Sequence, residues 1–163
     1  MTTPARTIAT VFALACTLAL GACATRAPSF EVVNASVVER TEDGVVIDFT
    51  LAGANPNPDE LPLRVIRYTL ELDGRTVFTG ERSAEATLRR RGVQTITVPA
   101  AIAIADLDDP DDTTRVRAYR LSGAVRYLAA GTIPQLLFDL GASRPSVGFA
   151  DTGEITLAAR RGE

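Results

Sequence analysis

The side chains that most often carry enzyme chemistry are missing from this sequence. All 17 basic residues are arginines, because the 163-residue chain contains neither lysine nor histidine. A histidine-based triad, a lysine Schiff base and a histidine-ligated metal site are therefore excluded. The segment Gly141-Ala142-Ser143-Arg144-Pro145 begins like a nucleophile elbow, but Pro145 replaces the second glycine and no histidine can act as its base. We predict no catalytic residues; a carboxylate pair acting on glycosides is the enzymatic alternative that stays open.

The densest group of charged side chains is an acidic segment late in the chain. It contains Asp106, Asp108, Asp109, Asp111 and Asp112. Carboxylate oxygens at this density are ligands that Ca²⁺ prefers. When Asp106 is counted as the first position of an EF-hand loop, however, Asp111 stands where the turn glycine belongs and Arg117 stands where the bidentate glutamate belongs. We therefore predict a solvated acidic loop with no metal and no cofactor, and calcium binding by residues 106–112 is the alternative.

The strongest basic cluster is Arg89-Arg90-Arg91, followed by Gly92. Each basic residue close to an anionic bilayer contributes ~1 kcal/mol, so this cluster could contact lipid headgroups. A solvated loop leading into a glycine turn is the simpler interpretation. The net charge of −3, with 6% aromatic residues and no tryptophan, argues against nucleic acid as a partner.

The first 22 residues are predicted to be a signal peptide. Arg6 precedes an apolar run over residues 7–20 that is too short to stay behind as a transmembrane anchor. The next residues, Leu20-Gly21-Ala22-Cys23, resemble the lipobox of bacterial lipoproteins. The resemblance implies cleavage before Cys23, acylation of its thiol by a fatty acid such as palmitate, and a lipid-anchored protein in the cell envelope. By analogy with known lipoproteins, Ala24 in place of aspartate implies the outer membrane, facing the periplasm. An ordinary secretory peptide with a free Cys23 is the alternative.

The rest of the chain alternates apolar and polar residues as half-buried β-strands do. Four runs are clearest, with inward faces formed by Val45, Ile47, Phe49 and Leu51; by Ile66, Tyr68, Leu70 and Leu72; by Ile96, Val98, Ala100, Ile102 and Ile104; and by Tyr119, Leu121, Gly123, Val125 and Tyr127. Further strands are predicted over residues 30–40, over Arg75–Thr79, through Leu136, Phe138 and Leu140, and around Ile155 and Leu157.

These patterns predict an all-β fold, an antiparallel β-sandwich of seven or eight strands. Asp73-Gly74 predicts a two-residue hairpin turn. An acidic start followed by Thr113-Thr114 is compatible with one short helix near residues 106–118. The chain is thus divided into a signal peptide (1–22), a lipidated cysteine and tether (23–29), one sandwich domain (30–158) and a polar tail (159–163).

The most distinctive motif lies between two of these strands. It reads Asn55-Pro56-Asn57-Pro58 and is followed by Leu61-Pro62. Each proline fixes φ and removes an N–H, whereas each asparagine side chain can bond the backbone nearby. We predict that these residues form a stiff structural turn where the chain crosses from one strand to the next.

The longer phrase GANPNPDELPLRVIRYTLELDGRTVFTG resembles the late embryogenesis abundant type 2 family, also called the water stress and hypersensitive response domain. Further matching features are Tyr68, the flanking Gly74 and Gly80, and a Thr/Val-rich strand that ends in Pro99. The resemblance extends from about residue 30 to residue 158. It implies a fibronectin type III or immunoglobulin-like sandwich that is associated with desiccation and other stress and has no accepted catalytic residues. Proposed roles in the family are protection of proteins against aggregation and, for some relatives, contact with lipid.

Together these features predict a non-enzymatic envelope lipoprotein that protects proteins or membrane during desiccation or other water stress. Its partners would be the membrane, through the anchor at Cys23, and client proteins or lipids. The alternative is a binding module, either for a lipid or hydrophobic ligand between the sheets or as an adaptor of an envelope complex. Small inward residues at Ala100 and Gly123 could leave room for a ligand, although they also suit tight packing.

Overall fold

The computed structural model describes residues 25–109 and 111–158. The predicted signal peptide, Cys23 and the predicted tail at 159–163 lie outside these residues. The strands and the helix are β1 (Ser29–Arg40), β2 (Gly44–Ala54), β3 (Leu61–Leu72), β4 (Arg75–Ser83), β5 (Thr87–Leu88), β6 (Val93–Ala103), β7 (Val116–Tyr127), α1 (Thr132–Asp139) and β8 (Ser146–Thr156). Within the described part of the chain, no helix is long and apolar enough to cross a bilayer.

The strands form two antiparallel sheets packed face to face. One sheet has the order β1-β2-β6 and the other β4-β3-β7-β8, with the short β5 paired to the start of β3. The inward faces of both sheets are fully buried at Ile47, Phe49, Ile66, Leu70, Val98, Ala100, Leu121 and Val125. The predicted antiparallel sandwich is confirmed, and the alternation of apolar residues identified its inward faces correctly.

The link between β2 and β3 carries the chain from one sheet to the other, because these consecutive strands belong to different sheets. The predicted hairpin at Asp73-Gly74 is present between β3 and β4. Asp73 has φ 50° and Gly74 has φ 83°, and two successive positive φ angles are what a tight hairpin matching the strand twist requires.

One predicted element is wrong, namely the strand through Leu136, Phe138 and Leu140. Residues Thr132–Asp139 form the helix α1 instead. Gly131, with φ 111°, precedes it, and Pro134 lies in the first turn, where a missing N–H costs little. Gly141, with φ 72°, terminates it in the left-handed conformation typical of helix ends.

The short helix expected near residues 106–118 is also wrong: the described residues of this segment after Asp106 form turns and the start of β7, and the one helical turn nearby is a 3₁₀ turn over Ile104–Asp106, directly after β6. β7 begins at Val116, so it takes up the last part of the predicted helical segment. The final strand starts at Ser146, well before the predicted Ile155.

Candidate functional site

The strands run between two ends of the sandwich that differ in chemistry. One end contains the link at residues 55–60, the turn at 89–92 and the segment at 128–131, and we call it the Asn-Pro-Asn end. The opposite end contains the turn at 41–43, the Asp73-Gly74 hairpin and the described residues 104–109 and 111–115. We call this the acidic end.

Asn55 is the centre of the Asn-Pro-Asn end. Its side chain is buried, with 2% of the residue exposed. The Nδ2 atom donates to the carbonyl oxygens of Asp59 at 2.7 Å, Arg89 at 3.2 Å and Leu88 at 3.4 Å. The Oδ1 atom accepts from the backbone N–H and the Nδ2 of Asn57, both at 2.9 Å. One amide group therefore fixes the link and ties it to the turn that carries the arginine cluster.

Asn57 extends this arrangement to the beginning of the described chain. Its Oδ1 accepts from the Arg26 backbone N–H and its Nδ2 donates to the Arg26 carbonyl oxygen, each at 2.8 Å. Its own carbonyl oxygen accepts from the Arg91 backbone N–H at 2.9 Å. The two asparagines thus join three segments that are distant in sequence, a role that their predicted local turn function did not include.

The neighbouring motif residues are placed by β3. Leu61 is fully buried and pairs with Leu88 of β5, whereas Pro62 is half-buried and its carbonyl oxygen accepts from the Leu128 backbone N–H at 2.9 Å. Pro56 is exposed between the two buried asparagines. The prolines therefore shape the path of the link, while the asparagines and Leu61 hold it in the core.

The arginine cluster lies on the surface of this end. Arg89, Arg90 and Arg91 are all exposed, and Arg91 has a positive φ of 45° in the turn before Gly92. Within residues 25–109 and 111–158, none of the three guanidinium groups forms an ion pair or a hydrogen bond. Their charge is therefore available to a partner in solution.

The helix α1 brings apolar side chains to the same end. Leu136, Leu137 and Leu140 are 57%, 39% and 71% exposed. Phe138, on the inner side, lies under the guanidinium of Arg64 at 5.8 Å. Asp59 of the link and Gln135 of α1 line one open groove of about 400 Å³, so the helix and the link are neighbours.

The acidic end is organised by a buried cation. Arg117 of β7 is 2% exposed, and its Nη2 donates to the carbonyl oxygens of Asp108 at 2.6 Å and Asp109 at 2.8 Å. Its Nη1 pairs with the Asp73 carboxylate at 3.3 Å. Arg115 lies 3.6 Å from the same carboxylate, and Arg75 pairs with Asp108.

Arg117 therefore forms hydrogen bonds with the carbonyl oxygens of Asp108 and Asp109, and backbone carbonyl oxygens of this kind are also calcium ligands. Among the described residues, no group of three or more acidic or cysteine side chains is arranged to hold a metal ion. Asp112 instead accepts from the Thr114 hydroxyl at 2.9 Å, and from the backbone N–H groups of Thr114 and Arg115. These bonds, chiefly the one to the Thr114 side chain, lower the pKa of the Asp112 carboxyl.

The interior beside Gly123 is closely packed. A Cβ at this position would come within 2.4 Å of the Arg67 carbonyl oxygen and 2.6 Å of the Phe149 ring. A surface groove of about 580 Å³ lies on the outer face of the sheet between Thr69, Thr79 and Ser122. The sequence left two interpretations of the small inward residues, room for a ligand and tight packing. At Gly123 the structure shows tight packing.

All three tyrosines of the protein lie against this core. Tyr68 donates through its hydroxyl to the Pro99 carbonyl oxygen and so joins the two sheets. Tyr119 packs edge-on against Phe49, with ring centroids 5.5 Å apart, and donates to the Asp151 carboxylate at 2.8 Å. Burial, followed by the bond to Asp151, raises the pKa of Tyr119 to about 12, and burial also raises the pKa of Tyr68 and Tyr127.

Comparison with solved structures places this architecture among known folds. The chain is similar to the solution structure of AT1g01470 from Arabidopsis thaliana, with a TM-score of 0.65, 16% identity, and coverage of 85% of this chain and 87% of that one. It is also similar to the solution structure of a putative late embryogenesis abundant protein, At2g46140.1, with a TM-score of 0.64, 20% identity, and coverage of 95% and 86%. A crystal structure of a protein from Archaeoglobus fulgidus matches with a TM-score of 0.56, 16% identity, and coverage of 81% and 100%. At these identities the likeness concerns the fold alone.

No curated protein matches the sequence at a significant level. The family model described as late embryogenesis abundant protein, LEA_2, matches residues 50–140. This stretch includes the asparagine pair, the arginine cluster, Arg117 and α1. The chain therefore belongs to the late embryogenesis abundant type 2 family, as its Asn-Pro-Asn motif and strand pattern predicted.

Proposed function

We propose that this protein is a non-enzymatic, lipid-anchored envelope protein that protects other proteins or the membrane during desiccation or related water stress. The observation that carries the proposal is the family match over residues 50–140, which spans both the asparagine pair and most of the core strands. The absence of histidine and lysine from the whole sequence supports a non-catalytic role.

The protective mechanism rests on a folded, charged surface. Apolar residues form the shared core of two sheets, whereas the outer faces carry charged and small polar side chains such as Arg67, Glu81 and Thr69. As water is lost and concentrations rise, such a domain separates the apolar patches of neighbouring proteins without exposing a large patch of its own. Disordered protectants reach the same end through low hydrophobicity, which this chain, at 46% hydrophobic residues, does not have.

A drying assay tests this function. A fragile enzyme is dried with the domain beginning at Ala24, and its recovered activity is compared with that obtained with an unrelated β-sandwich of equal mass. All eight strands and the described core lie between Ser29 and Leu157, so this chain keeps the contacts of the domain. We expect recovery well above the control, and recovery equal to the control would contradict a direct protective role.

The lipid anchor is supported by the sequence before the domain. Leu20-Gly21-Ala22-Cys23 follows the apolar run, and Arg26 enters the fold three positions after Cys23. Fractionation of cells producing the full chain, with mass spectrometry of the N-terminal peptide, tests the anchor. We expect the protein in the membrane fraction with an acylated Cys23, and a soluble protein for Cys23→Ser. An unmodified cysteine would contradict the anchor while leaving the drying assay unaffected.

A further inference from the structure

The Asn-Pro-Asn end has the charge and the apolar side chains that suit the surface of an anionic bilayer. We propose that this end docks on anionic lipid through Arg89, Arg90 and Arg91 and through the exposed leucines of α1, so that the acidic end points away from the membrane. This docking surface goes beyond the proposed protective function. It rests on the proposed function in one respect, namely that the lipid anchor at Cys23 places the protein beside a membrane.

The first argument is the distribution of charge. The arginine cluster is exposed and unpaired among the described residues, and together with the other arginines of this end it outnumbers the nearby acids. The basic residues here are Arg26, Arg64, Arg89, Arg90, Arg91, Arg126 and Arg144, and the acids are Glu31, Asp59, Glu60, Glu85 and Asp139. The opposite end carries the aspartates of 106–112 together with Glu42, Asp43 and Asp73, and these acids outnumber its arginines, which are Arg40, Arg75, Arg115 and Arg117. A domain polarised in this way turns its basic end toward anionic lipid.

The second argument is the exposed face of α1. Leu136 and Leu140 are four residues apart, so they lie on one side of the helix, and Leu137 lies beside them. Single exposed apolar residues are common on protein surfaces. Leucines grouped on one short helix next to arginines, however, match the pattern by which interfacial helices enter the headgroup region.

The third argument is the position of the N-terminus. The backbone of Arg26 is held by Asn57, so the preceding chain leaves the fold at this end. Cys23 is three residues earlier, which limits its distance from Arg26 to roughly 11 Å even in a fully extended chain. The acidic end lies farther away by the length of β2, which at ~3.3 Å for each residue is roughly 35 Å. A lipid on Cys23 therefore brings the bilayer to the Asn-Pro-Asn end first.

The experiment uses the unlipidated domain that begins at Ala24, so that binding reflects the surface and not the anchor. Co-sedimentation is measured with phosphatidylcholine vesicles that contain about one third phosphatidylglycerol, and with vesicles of phosphatidylcholine alone. We expect measurable binding to the anionic vesicles that weakens with added salt, and much weaker binding to the neutral vesicles.

Two matched charge variants locate the surface. Replacing Arg89, Arg90 and Arg91 by glutamine is expected to weaken binding at least about tenfold. The control replaces Arg75, Arg115 and Arg120, which lie toward the acidic end, by glutamine and makes the same change in net charge. We expect the control to change binding by less than about twofold. Equal weakening by both variants would overturn the docking surface, because only net charge would then matter.

A second pair of variants tests the leucines. Leu136→Ser with Leu140→Ser is expected to weaken binding roughly tenfold, since each leucine loses several methylene groups from the interface. Val38→Ser with Val116→Ser is the control, because these valines are 55% and 56% exposed but lie toward the acidic end. Melting curves establish that every variant is folded.

Two results would overturn the proposal directly. One is the absence of binding to anionic vesicles by the folded, unlipidated domain. The other is a monomer–dimer equilibrium in sedimentation velocity that the leucine variants abolish without affecting vesicle binding, because the leucines would then cover a second copy of the chain. Neither result affects the drying assay, which contains no lipid, so failure of the docking surface is distinguishable from failure of the protective function.

Discussion

The two ends of the sandwich are both held by a buried polar side chain, but a neutral amide does this at one end and a guanidinium at the other. Asn55 gathers three carbonyl oxygens at the Asn-Pro-Asn end without using any charge. Arg117 gathers two carbonyl oxygens and the Asp73 carboxylate at the acidic end. Several charged side chains of the acidic end therefore pair with one another, whereas the arginine cluster of the Asn-Pro-Asn end is exposed to solvent.

This difference suggests that the charged side chains of the two ends have different roles: those of the acidic end stabilise the fold, and those of the Asn-Pro-Asn end bind a partner. At the acidic end, ion pairs and caps stabilise a long connection between β6 and β7. At the Asn-Pro-Asn end, hydrogen bonds between uncharged groups hold the loops together. The arginine cluster has no part in these bonds through its side chains, so it is available for the proposed contact with anionic lipid. Separate perturbation of the two ends tests whether stability and binding are divided in this way.

The largest effect is expected from breaking the acidic end. Arg117→Met removes a buried cation and leaves the carbonyl oxygens of Asp108 and Asp109 without their donor. The Asp73 carboxylate loses its buried partner and keeps the Ala118 backbone N–H and the more exposed Arg115. We expect a loss of about 3 kcal/mol in the free energy of unfolding, measured by urea denaturation. Arg115→Met is the matched control, since the Arg115 side chain is 43% exposed and lies 3.6 Å from Asp73, and it should cost less than about 1 kcal/mol. Similar losses in the two variants would contradict the central role of Arg117.

A somewhat smaller effect is expected from breaking the Asn-Pro-Asn end. Asn55→Ala removes the donor to the carbonyl oxygens of Asp59 and Arg89 and the acceptor of the Asn57 backbone N–H. The buried Asn57 side chain then keeps only its bonds to the Arg26 backbone. We expect these losses to cost about 2 kcal/mol in the free energy of unfolding. Asn34→Ala, at an exposed position of β1, should stay within about 0.5 kcal/mol of the parent protein. If both substitutions are equally mild, the asparagine pair does not hold this end together.

The core between the two ends gives a pH-dependent prediction. Because burial and Asp151 raise the pKa of Tyr119 to about 12, its neutral form is favoured in the folded protein. The resulting stability is fully present below the ordinary tyrosine pKa of about 10 and is lost as pH rises from there toward about 12. Titration of phenolate absorbance should show a transition near pH 12 that disappears in Tyr119→Phe. A tyrosine transition complete at pH 10 would contradict the packing around Tyr119.

The smallest effect concerns Asp112, at the surface of the acidic end. Hydrogen bonds from Thr114 and Arg115 lower the pKa of its carboxyl, so its contribution is present above the ordinary aspartate pKa and is lost as pH falls through the lowered value. Asp112→Asn should therefore lower stability slightly near neutral pH, where the carboxylate of the parent protein is ionised, and should have almost no effect below the lowered pKa, so that the acid limb of the stability profile becomes slightly flatter. An effect that is equal at acidic and neutral pH would not fit a role through ionisation.

How far the sequence predicts this molecule differs between strands and loops. Alternation alone placed Val45, Ile47, Phe49 and Leu51 on one buried face, since a strand with one buried side has a strict period of two. The same rule failed at Leu136, Phe138 and Leu140, because a short apolar run fits a strand and a helix almost equally well. The better indication of a helix was the pair of glycines on either side of it, Gly131 before α1 and Gly141 after it.

The sites at the two ends were harder to predict, because their partners are distant in sequence. Asn55 reaches the Arg89 carbonyl oxygen 34 positions away, and Asn57 reaches Arg26 across 31 positions. In the sequence, Arg117 stands out only because it breaks the pattern of a calcium-binding loop. In the fold its side chain is buried and binds carbonyl oxygens of the acidic loop. A lone arginine at an inward strand position was the available signal, and alternation would have identified it.

The orientation of the domain on a bilayer tests the contrast between the two ends most directly. The chain that begins at Ala24 contains no cysteine, so Ser143→Cys, which lies against the end of α1, and Asp111→Cys, at the acidic end, each provide one labelling site. Fluorophores at these sites are measured on the anionic vesicles in the presence of a lipid-borne quencher. We predict strong quenching at residue 143 and little at residue 111. Equal quenching at both sites, or stronger quenching at residue 111, would contradict docking through the Asn-Pro-Asn end.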